Sequence, residues 1–476
     1  MTKHKIAAAA ATVTIAAMIS KLLGFLRDVV IASKFGTSGE TDAFLVALAV
    51  PEFLRDILAG GALTAAFIPV FSSYLAEENY EEAGRIFSTI FNLLLVLFLV
   101  TLSAGILFSR QLLGLVAFGF SEEVLNLSVK LSYLIFPAMV FMGLASYLGG
   151  VLNASKHFLM PSLNQAVLNI SIIYCALTLS LKAGIKSLAI GFIAGGILQF
   201  IMLVVPVLKR RFRYRPVLSL THPGILQLQK LWIPLILALI LSNANSLIVK
   251  MFASTMARGS IAALHFAYRL KQLPVVLFGI TLATALFPFI SWQVARDNME
   301  EFRKTIARAI KVVFFIIFPI SLYLALFKFP VIRFLFERGS FTAASTMDTS
   351  TALLYYLPGA LAVSLNYILI RAYYALKDTI TPLKSTFIGL IVMIVSGWYL
   401  KKTLSHSGLA LANSLADISI FIILFFYLVY RKKILDWEKT ACSFLRVIAV
   451  SLLSILPPFY LFHYLQRFMG DAPIYQ

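Results

Sequence analysis

The stretch Ala66-Phe-Ile-Pro69, followed by Asn79-Tyr-Glu-Glu82, occurs a second time about 220 residues later, as Ala285-Leu-Phe-Pro288 and Asn298-Met-Glu-Glu301. Other positions return at nearly the same distance: Pro137, Lys156, Pro161 and the pair Arg210-Arg211 have counterparts at Pro358, Lys377, Pro382 and Arg431-Lys432. Such regular spacing indicates a duplicated chain. Two related halves in an apolar chain are typical of transporters, whose substrate site lies between the halves.

The composition is that of a membrane protein. The chain is 60% hydrophobic and only 13% charged over 476 residues, whereas about a quarter of the residues of a soluble domain are charged. Apolar runs of transmembrane length recur throughout, without the short alternating segments of a β-barrel. The sequence therefore predicts an all-α polytopic membrane protein without a separate soluble domain. Thirteen spans are predicted, with a fourteenth left open: 6–35, 41–75, 84–110, 122–153, 158–181, 186–208, 226–256, 260–295, 304–330, 346–376, 380–401, 407–430 and 440–466.

Basic loops predict the orientation. The formal net charge is +20, which the positive-inside rule explains without any nucleic-acid partner. With the N-terminus in the cytoplasm, basic residues on the inner side outnumber those outside by roughly two to one, so the sequence predicts a cytoplasmic N-terminus. The loop 209–224 separates two sets of six spans, and this even number predicts parallel repeats. The predicted organisation is an N-terminal lobe (1–215), a C-terminal lobe (216–433) and an extra C-terminal span (434–476), and two lobes in one chain make a monomer sufficient.

Several chemistries have no signal in the sequence. There is no Walker A motif, so no ATP hydrolysis is predicted. The six histidines show no metal-ligand spacing, and Cys175 and Cys442 lie in apolar contexts that predict neither a disulfide nor a metal site. The loop acids Glu81-Glu82 recur at Glu300-Glu301 and are typical of helix starts rather than of a catalytic pair. The sequence predicts a transporter with no cofactor and no metal.

Charged residues inside the spans are the candidate functional residues, because a charge in a membrane usually faces a cavity or a partner. On the first span, Lys21 and Asp28 share a helix face, and Arg27 lies beside it. On the second span, Arg55 is near mid-membrane. On the eighth span, Arg269 is at a comparable depth. The sequence predicts that these cations converge on one cavity.

The balance of charge favours an anionic substrate. The cations Lys21, Arg27, Arg55, Lys250, Arg269 and Lys271 outnumber the nearby acids, and the planar fork of arginine matches phosphate. The alternative is that Lys21, Asp28, Asp42, Arg55 and Asp56 neutralise each other as buried pairs. Arg55 and Asp56 point about 100° apart on a helix, which predicts that these two do not pair with each other.

Two further cations have open interpretations. Lys250 is deep enough in the seventh span either to serve the cavity or to fill a structural role. Arg371 is near the inner end of the tenth span, where the simpler interpretation is a side chain that extends to the lipid headgroups.

The motifs Ser20-Lys-Leu-Leu-Gly-Phe-Leu-Arg-Asp28 and Thr41-Asp-Ala-Phe44 are followed by Leu54-Arg55 and by Ala65-Ala-Phe-Ile-Pro69. Together with Tyr268-Arg-Leu270 and with Ala375-Leu-Lys-Asp378 before Pro382, this series resembles the MurJ (MviN) lipid II flippase family over nearly the whole chain.

The resemblance implies the two-lobed fold of the MOP exporter superfamily and residence in the bacterial cytoplasmic (inner) membrane. It implies alternating-access transport of lipid II, the undecaprenyl-pyrophosphate-linked peptidoglycan precursor, from the cytoplasmic to the outer leaflet. The substrate-binding residues that it implies are Arg27, Arg55, Arg269 and Lys21, with Asp28, Asp42 and Lys250 as supporting charges. Membrane lipids and the cell-wall synthesis machinery are the other partners that it implies.

The chain departs from the family pattern at several positions. Gly60-Gly61-Ala62 stands where an acid usually precedes Gly-Ala, and the positions that align with a sodium site in some relatives hold Val249, Met393 and Gly397. These residues predict no sodium site.

Other functions remain open from the sequence. A flippase for another polyprenyl-linked oligosaccharide, such as an O-antigen unit, would handle the same pyrophosphate. A cation-drug antiporter of the same fold would need an acidic cavity rather than a basic one. A non-transporting membrane scaffold would tolerate loss of the arginines.

Overall fold

A computed structural model describes residues 3–431 and 437–468 of the chain. Within these ranges the secondary structure is all helical: seventeen α-helices, two of them continued by π-helical turns. All thirteen predicted spans lie on these helices. The chain divides into two compact units, residues 1–262 with 338–341 and residues 263–337 with 342–476. The predicted lobes at 1–215, 216–433 and 434–476 come from the sequence repeat and stay a prediction.

The first unit contains ten helices in the described part of the chain. They are α1 (Lys3–Phe35), α2 (Gly39–Ala59), α3 (Gly61–Ala76), α4 (Tyr80–Leu107), α5 (Ser109–Val116), α6 (Glu122–Ala154), α7 (Leu159–Thr178), α8 (Ser180–Ala183), α9 (Lys186–Leu208) and α10 (Pro223–Ala253). Helix α6 is largely buried inside the unit. Its contact with α4 is close, because a Cβ added at Gly143 would lie 2.0 Å from the Phe98 ring. Small residues permit this approach between membrane helices.

The second unit is built in a similar way around the buried helix α15. Its helices are α11 (Ser260–Pro274, which begins in the first unit), α12 (Thr281–Ala295), α13 (Met299–Leu326), α14 (Lys328–Phe336), α15 (Ala343–Ala375), α16 (Ile380–Phe426) and α17 (Trp437–Phe468). A π-helical turn, Val275–Ile280, joins α11 to α12, and another, Tyr427–Arg431, follows α16. The buried faces of α13 and α15 form an apolar core that includes Ile310, Ile317 and Ile368.

Ten helices of the described residues are long and apolar enough to cross a membrane. The prediction of thirteen spans is larger for two reasons. Helix α16 counts once but holds two predicted spans, 380–401 and 407–430, which meet at the non-helical residue Ser405. Helices α1 and α10, which correspond to the predicted spans 6–35 and 226–256, are not among these ten candidate membrane helices.

Glycine and proline inside the apolar runs predict breaks in the spans at Gly24, Pro51, Gly60-Gly61, Pro274 and Pro358, and the structure confirms two of these five positions. Gly60 is extended (φ −75°, ψ −164°) and separates α2 from α3, and Pro274 is followed by a π-helical turn. The breaks predicted at Gly24, Pro51 and Pro358 are wrong, because these residues lie inside continuous helices. A proline inside a helix removes one backbone hydrogen bond without always ending the helix.

The loops of the two halves repeat in backbone detail. Glu78 and Asp297 both have a φ of 56°, and Lys156 and Lys377 have φ values of 60° and 59°. Such left-handed backbone is uncommon for residues other than glycine. The asparagines that follow are also equivalent. The side chains of Asn79 and Asn298 each accept a hydrogen bond at 3.2 Å from the backbone N–H three residues later. The duplication predicted from sequence therefore extends to turn geometry and helix capping.

Candidate functional site: intramembrane charges

Arg27 is held between two helices of the first unit. Its Nε and Nη2 donate to Asp28 Oδ1 at 3.1 and 2.8 Å, and its Nη1 donates to Asn169 Oδ1 at 3.2 Å. Asn169, on α7, also donates to the carbonyl of Ser20 at 3.1 Å. The helices meet this closely because residue 24 is glycine: a Cβ there would lie 3.3 Å from Asn169 Nδ2. The guanidinium of Arg27 is therefore fixed in position.

Arg55 on α2 has a similar arrangement. Its Nε and Nη2 donate to Asp56 Oδ1 at 3.1 and 2.7 Å, while its Nη1 makes no hydrogen bond to any residue that the structure describes. The prediction that Arg55 and Asp56 do not pair is wrong. Although their Cβ atoms point in different directions, the arginine side chain is long enough to fold back along the helix surface to its neighbour.

Sequence reasoning missed one carboxylate that influences both arginines. Glu52 on α2 acts electrostatically on both Arg27 and Arg55. It therefore places the cations of α1 and α2 in one local field. Its position one turn before Arg55 could have identified it, because residues three or four apart share a helix face.

The predicted excess of positive charge is wrong for this part of the first unit. Lys21, Arg27 and Arg55 are matched in number by the carboxylates Asp28, Glu52 and Asp56. The two arginine side chains are 14% and 21% exposed, so both stay accessible to a ligand. Lys21 is exposed on α1. The site is thus a locally neutral group of preoriented cations rather than a bare positive surface.

Asp42 does not contact these arginines. Its carboxylate is buried and accepts the backbone N–H groups of Gly259 and Ala262 at 2.6 and 2.8 Å. These amides belong to the start of α11, where backbone N–H groups lack helical partners and carry partial positive charge. Asp42 is therefore a helix cap within the first unit in this structure.

Lys250 bridges two helices of the first unit. Its Nζ donates to the carbonyl oxygen of Leu45 at 3.0 Å, which ties α10 to α2. This contact corresponds to the structural interpretation of Lys250.

The second unit has a charge cluster of its own. The ammonium of Lys271, only 1% exposed, donates to Asp417 Oδ2 at 2.9 Å and to Asn413 Oδ1 at 3.1 Å. The rings of Tyr268 and Tyr356 have their centroids 5.5 and 5.4 Å from the same Nζ. Lys271 is therefore fully partnered, and the prediction that it adds free positive charge is wrong. Asp417 could have been found as a carboxylate inside an otherwise apolar span.

Arg269 and Arg371 complete the set in the second unit. Arg269 is exposed on α11, two residues before the buried Lys271. The guanidinium of Arg371 lies 5.3 Å from the ring centroid of Phe287, a cation–π distance.

Comparisons with known proteins agree with the motifs. A family model described as lipid II flippase MurJ matches residues 31–472. The chain belongs to the MurJ lipid II flippase family. One member, the probable lipid II flippase MurJ of Buchnera aphidicola subsp. Baizongia pistaciae, is 31% identical over 87% of this chain and 80% of its own length. The lipid II flippase MurJ of Burkholderia cenocepacia is 29% identical over 83% of this chain and 78% of its own length.

Solved structures extend the MurJ likeness to the fold. A lipid II flippase MurJ in an inward closed conformation has a TM-score of 0.83 and is 28% identical, covering 94% of this chain and 92% of that chain. An inward-facing multidrug resistance MATE transporter of the MOP superfamily has a TM-score of 0.75 at 15% identity, covering 90% of this chain and 98% of that chain. This second likeness is one of fold alone. The predicted all-helical, MurJ- and MATE-like membrane fold is confirmed.

The MurJ-like motif residues therefore fall into two groups. Arg27 and Arg55 belong to the first unit and both feel the charge of Glu52, while Arg269 belongs to the second unit. Their role in binding remains a prediction.

Proposed function

We propose that this chain transports lipid II from the cytoplasmic to the outer leaflet of the bacterial cytoplasmic membrane by alternating access, as a monomer with a cytoplasmic N-terminus. Membership of the MurJ family supports the substrate. Through that substrate, the protein serves peptidoglycan biosynthesis.

Recognition of the pyrophosphate by Arg27 and Arg55 is the chemical core of this proposal. The observation that carries it is the position of Asp56, which occupies the Nε side of Arg55 and leaves Nη1 without a partner among the described residues. A phosphate oxygen can approach this remaining edge first and then compete with Asp56 for the guanidinium. Arg27, fixed by Asp28 and Asn169, supplies a second cation for a ligand with two phosphates. Charge-assisted hydrogen bonds of this kind are the strong ones.

The acids beside these arginines suit a transporter better than a tight receptor. An ion held in a membrane without a counter-charge costs several kcal/mol, so Asp28, Glu52 and Asp56 make the empty site tolerable. When the anionic headgroup leaves, the same carboxylates can take back the arginines. The headgroup can therefore be released as readily as it is bound, and turnover requires such release.

We expect Arg269 and Lys21 to assist the same headgroup. Both are exposed, and an ammonium at position 21 adds charge without a bidentate fork. In this proposal Asp42 and Lys250 support the helices that carry the site rather than touching the substrate.

The proposal is tested in bacteria depleted of their own flippase and expressing this chain. We expect the native chain to restore lipid II in the outer leaflet and Arg55→Ala to fail. Arg110→Ala is the matched control, because Arg110 is an exposed arginine whose surface ion pair with Glu122 contributes little to stability. Restoration by Arg55→Ala at the native rate would overturn the headgroup assignment.

The same cells distinguish the substrate. If the native chain inserts and folds but restores outer-leaflet exposure only of another polyprenyl-linked oligosaccharide, that oligosaccharide replaces lipid II as the substrate. In that event the arginine site would still serve a pyrophosphate.

A further inference from the structure

The basic segment between α9 and α10 is tied to the side of α4. This segment, residues 209–222, is called the basic strap below. The amide of Arg215 donates to Ser88 Oγ at 2.8 Å, and the amide of Ser219 donates to Thr89 Oγ1 at 3.2 Å. In the opposite sense, Asn92 Nδ2 donates to the carbonyl of Val217 at 3.0 Å. These contacts to three residues of one helix give the strap a defined path.

Phe212 anchors the beginning of the basic strap. Its side chain is 5% exposed, and its ring centroid lies 5.3 Å from those of Phe71 and of Phe87. An aromatic ring buried in this way restricts the backbone on both sides. The cations immediately before Phe212 are therefore held near the ends of α3 and α6.

A cavity of about 490 Å³ lies at this place in the first unit. Its charged lining consists of four cations and no acid: Lys156 at the end of α6, and Lys209, Arg210 and Arg211 at the start of the basic strap. Tyr80 and the serines Ser72 and Ser155 contribute hydroxyl groups to the same wall.

The cations of this cavity have no acidic partner among the residues that the structure describes. None of the four cations has a carboxylate within 4.0 Å in the part of the chain that the structure describes, and Arg210 Nε is buried without a hydrogen-bond partner there. Arg211 contacts only the uncharged Tyr80. The acids nearby have other partners, since Glu81 pairs with Arg215 and Glu82 pairs with His222.

The simpler explanation is that these cations only fix the orientation of the chain, as cytoplasmic loops do. That role requires charge near the membrane but neither a formed cavity nor a buried, unsatisfied guanidinium nitrogen. An unpaired buried donor costs free energy unless a ligand or water satisfies it.

We propose that this cavity binds a phosphate-bearing anion, at a site separate from the lipid II site proposed above. Two planar guanidinium groups and two ammonium groups can neutralise about two negative charges while offering forked donors to phosphate oxygens. The ligand is the headgroup of an anionic phospholipid or a soluble phosphate compound, since both present the same chemistry. The charge pattern predicts that the site is cytoplasmic.

The test uses the purified full chain in nanodiscs of neutral phosphatidylcholine, titrated with inorganic pyrophosphate, with the shift of the thermal unfolding midpoint as the measure of binding. A second set of nanodiscs contains phosphatidylglycerol without added pyrophosphate. We expect at least one of these ligands to stabilise the native chain, and the double variant Lys156→Gln/Arg210→Gln to weaken that binding about tenfold or more.

The matched control is Arg213→Gln, which removes one charge from an exposed position of the same strap outside the cavity lining. We expect its binding to stay within about twofold of native. Stabilisation by pyrophosphate identifies a soluble ligand, and stabilisation by phosphatidylglycerol alone identifies a lipid headgroup. Both results support the site.

Three results would overturn it: no stabilisation of the native chain by either ligand, equal binding by the native chain and the double variant, or equal weakening by Arg213→Gln. The variant Arg55→Ala separates the two proposals. The Arg55→Ala protein should still be stabilised by the anion. If that stabilisation is lost in Arg55→Ala but kept in Lys156→Gln/Arg210→Gln, the anion binds at the lipid II site.

Discussion

Arg55 and Asp56 are neighbours in sequence and partners in space, and this pairing determines what an anionic headgroup meets. The carboxylate orients the guanidinium and also competes for it. Arg27 and Asp28 repeat the same arrangement one helix away. In each pair the arginine attracts an anion, and the neighbouring aspartate can take the place of that anion when it leaves.

At this scale we predict that Asp56→Asn binds lipid II more tightly and transports it more slowly. Removing the competing carboxylate leaves a net positive charge beside the ligand, so the affinity should rise about threefold to tenfold, or up to about 1.4 kcal/mol. Release should become slower in proportion. Binding and flipping by the purified variant measure the two effects, with Asp348→Asn, at an exposed acid of the second unit, as the control. Weaker binding would show that Asp56 positions Arg55 without competing for it.

The buried pair of Lys271 and Asp417 makes a different prediction. Lys271→Met leaves Asp417 without its cation in a membrane helix, which should cost about 3 kcal/mol of unfolding free energy. The double variant Lys271→Met/Asp417→Leu should recover most of that loss, because both charges are then gone. Thermal unfolding of the single and double variants measures the coupling. Additive losses would mean that the ion pair does not couple the two helices.

At the scale of the helices, the two halves use the same turn with different residues. Gly184 has φ 54° and ψ −140° before α9, and Ser405 has φ 51° and ψ −137° at its equivalent position inside α16. This region of backbone conformation is almost restricted to glycine. The first half therefore adopts the turn without strain, and the second half does not.

We predict that Ser405→Gly stabilises the protein by about 1 kcal/mol, after the entropy of the added glycine is subtracted. The reciprocal variant Gly184→Ser should destabilise by a similar amount. A Cβ at Gly184 meets nothing within 4 Å, so its cost is purely one of backbone conformation. Both variants can be compared by thermal unfolding. A loss of stability in Ser405→Gly would mean that the serine side chain contributes more than the strain costs.

The helices that span the membrane could be predicted from the sequence because their apolar runs are long. The short helices α5 and α14 were not predicted, since eight or nine residues give too little periodicity to recognise. The predicted break at Gly60 was confirmed because two glycines leave the backbone free to turn. The break at Pro358 failed because the surrounding core of α15 keeps the helix continuous.

At the scale of the whole molecule, Arg27, Arg55 and Lys271 lie in ion pairs inside the described helices, whereas the cavity at the basic strap is lined by cations without an acid. The sequence alone predicted Arg27 and Arg55 as candidate site residues, since arginine in an apolar span is rare. It could not identify their partners, because the direction in which a long side chain folds depends on its neighbours in space. Glu52 and Asp417 could have been found as carboxylates in apolar spans, but the cations that they act on became visible only in the structure.

This distribution leads to the prediction that transport depends on a few arginines and not on total positive charge. Arg55→Lys keeps the charge but loses the planar fork, so it should retain only part of the activity of the native chain. Arg110→Ala, which lowers the net charge by the same amount as Arg55→Ala, should transport normally.

The most direct measurement is lipid II transport by the purified chain in proteoliposomes, with the native sequence, Arg55→Ala, Arg55→Lys and Arg110→Ala compared at equal protein content. If Arg55 binds the pyrophosphate, the native chain and Arg110→Ala flip lipid II at the same rate. Arg55→Lys is then slower, and Arg55→Ala is lower by about a hundredfold, as expected for losing a charged hydrogen-bonding group worth about 3 kcal/mol. Native-rate transport by Arg55→Ala in folded, reconstituted protein would contradict recognition of the headgroup by this arginine.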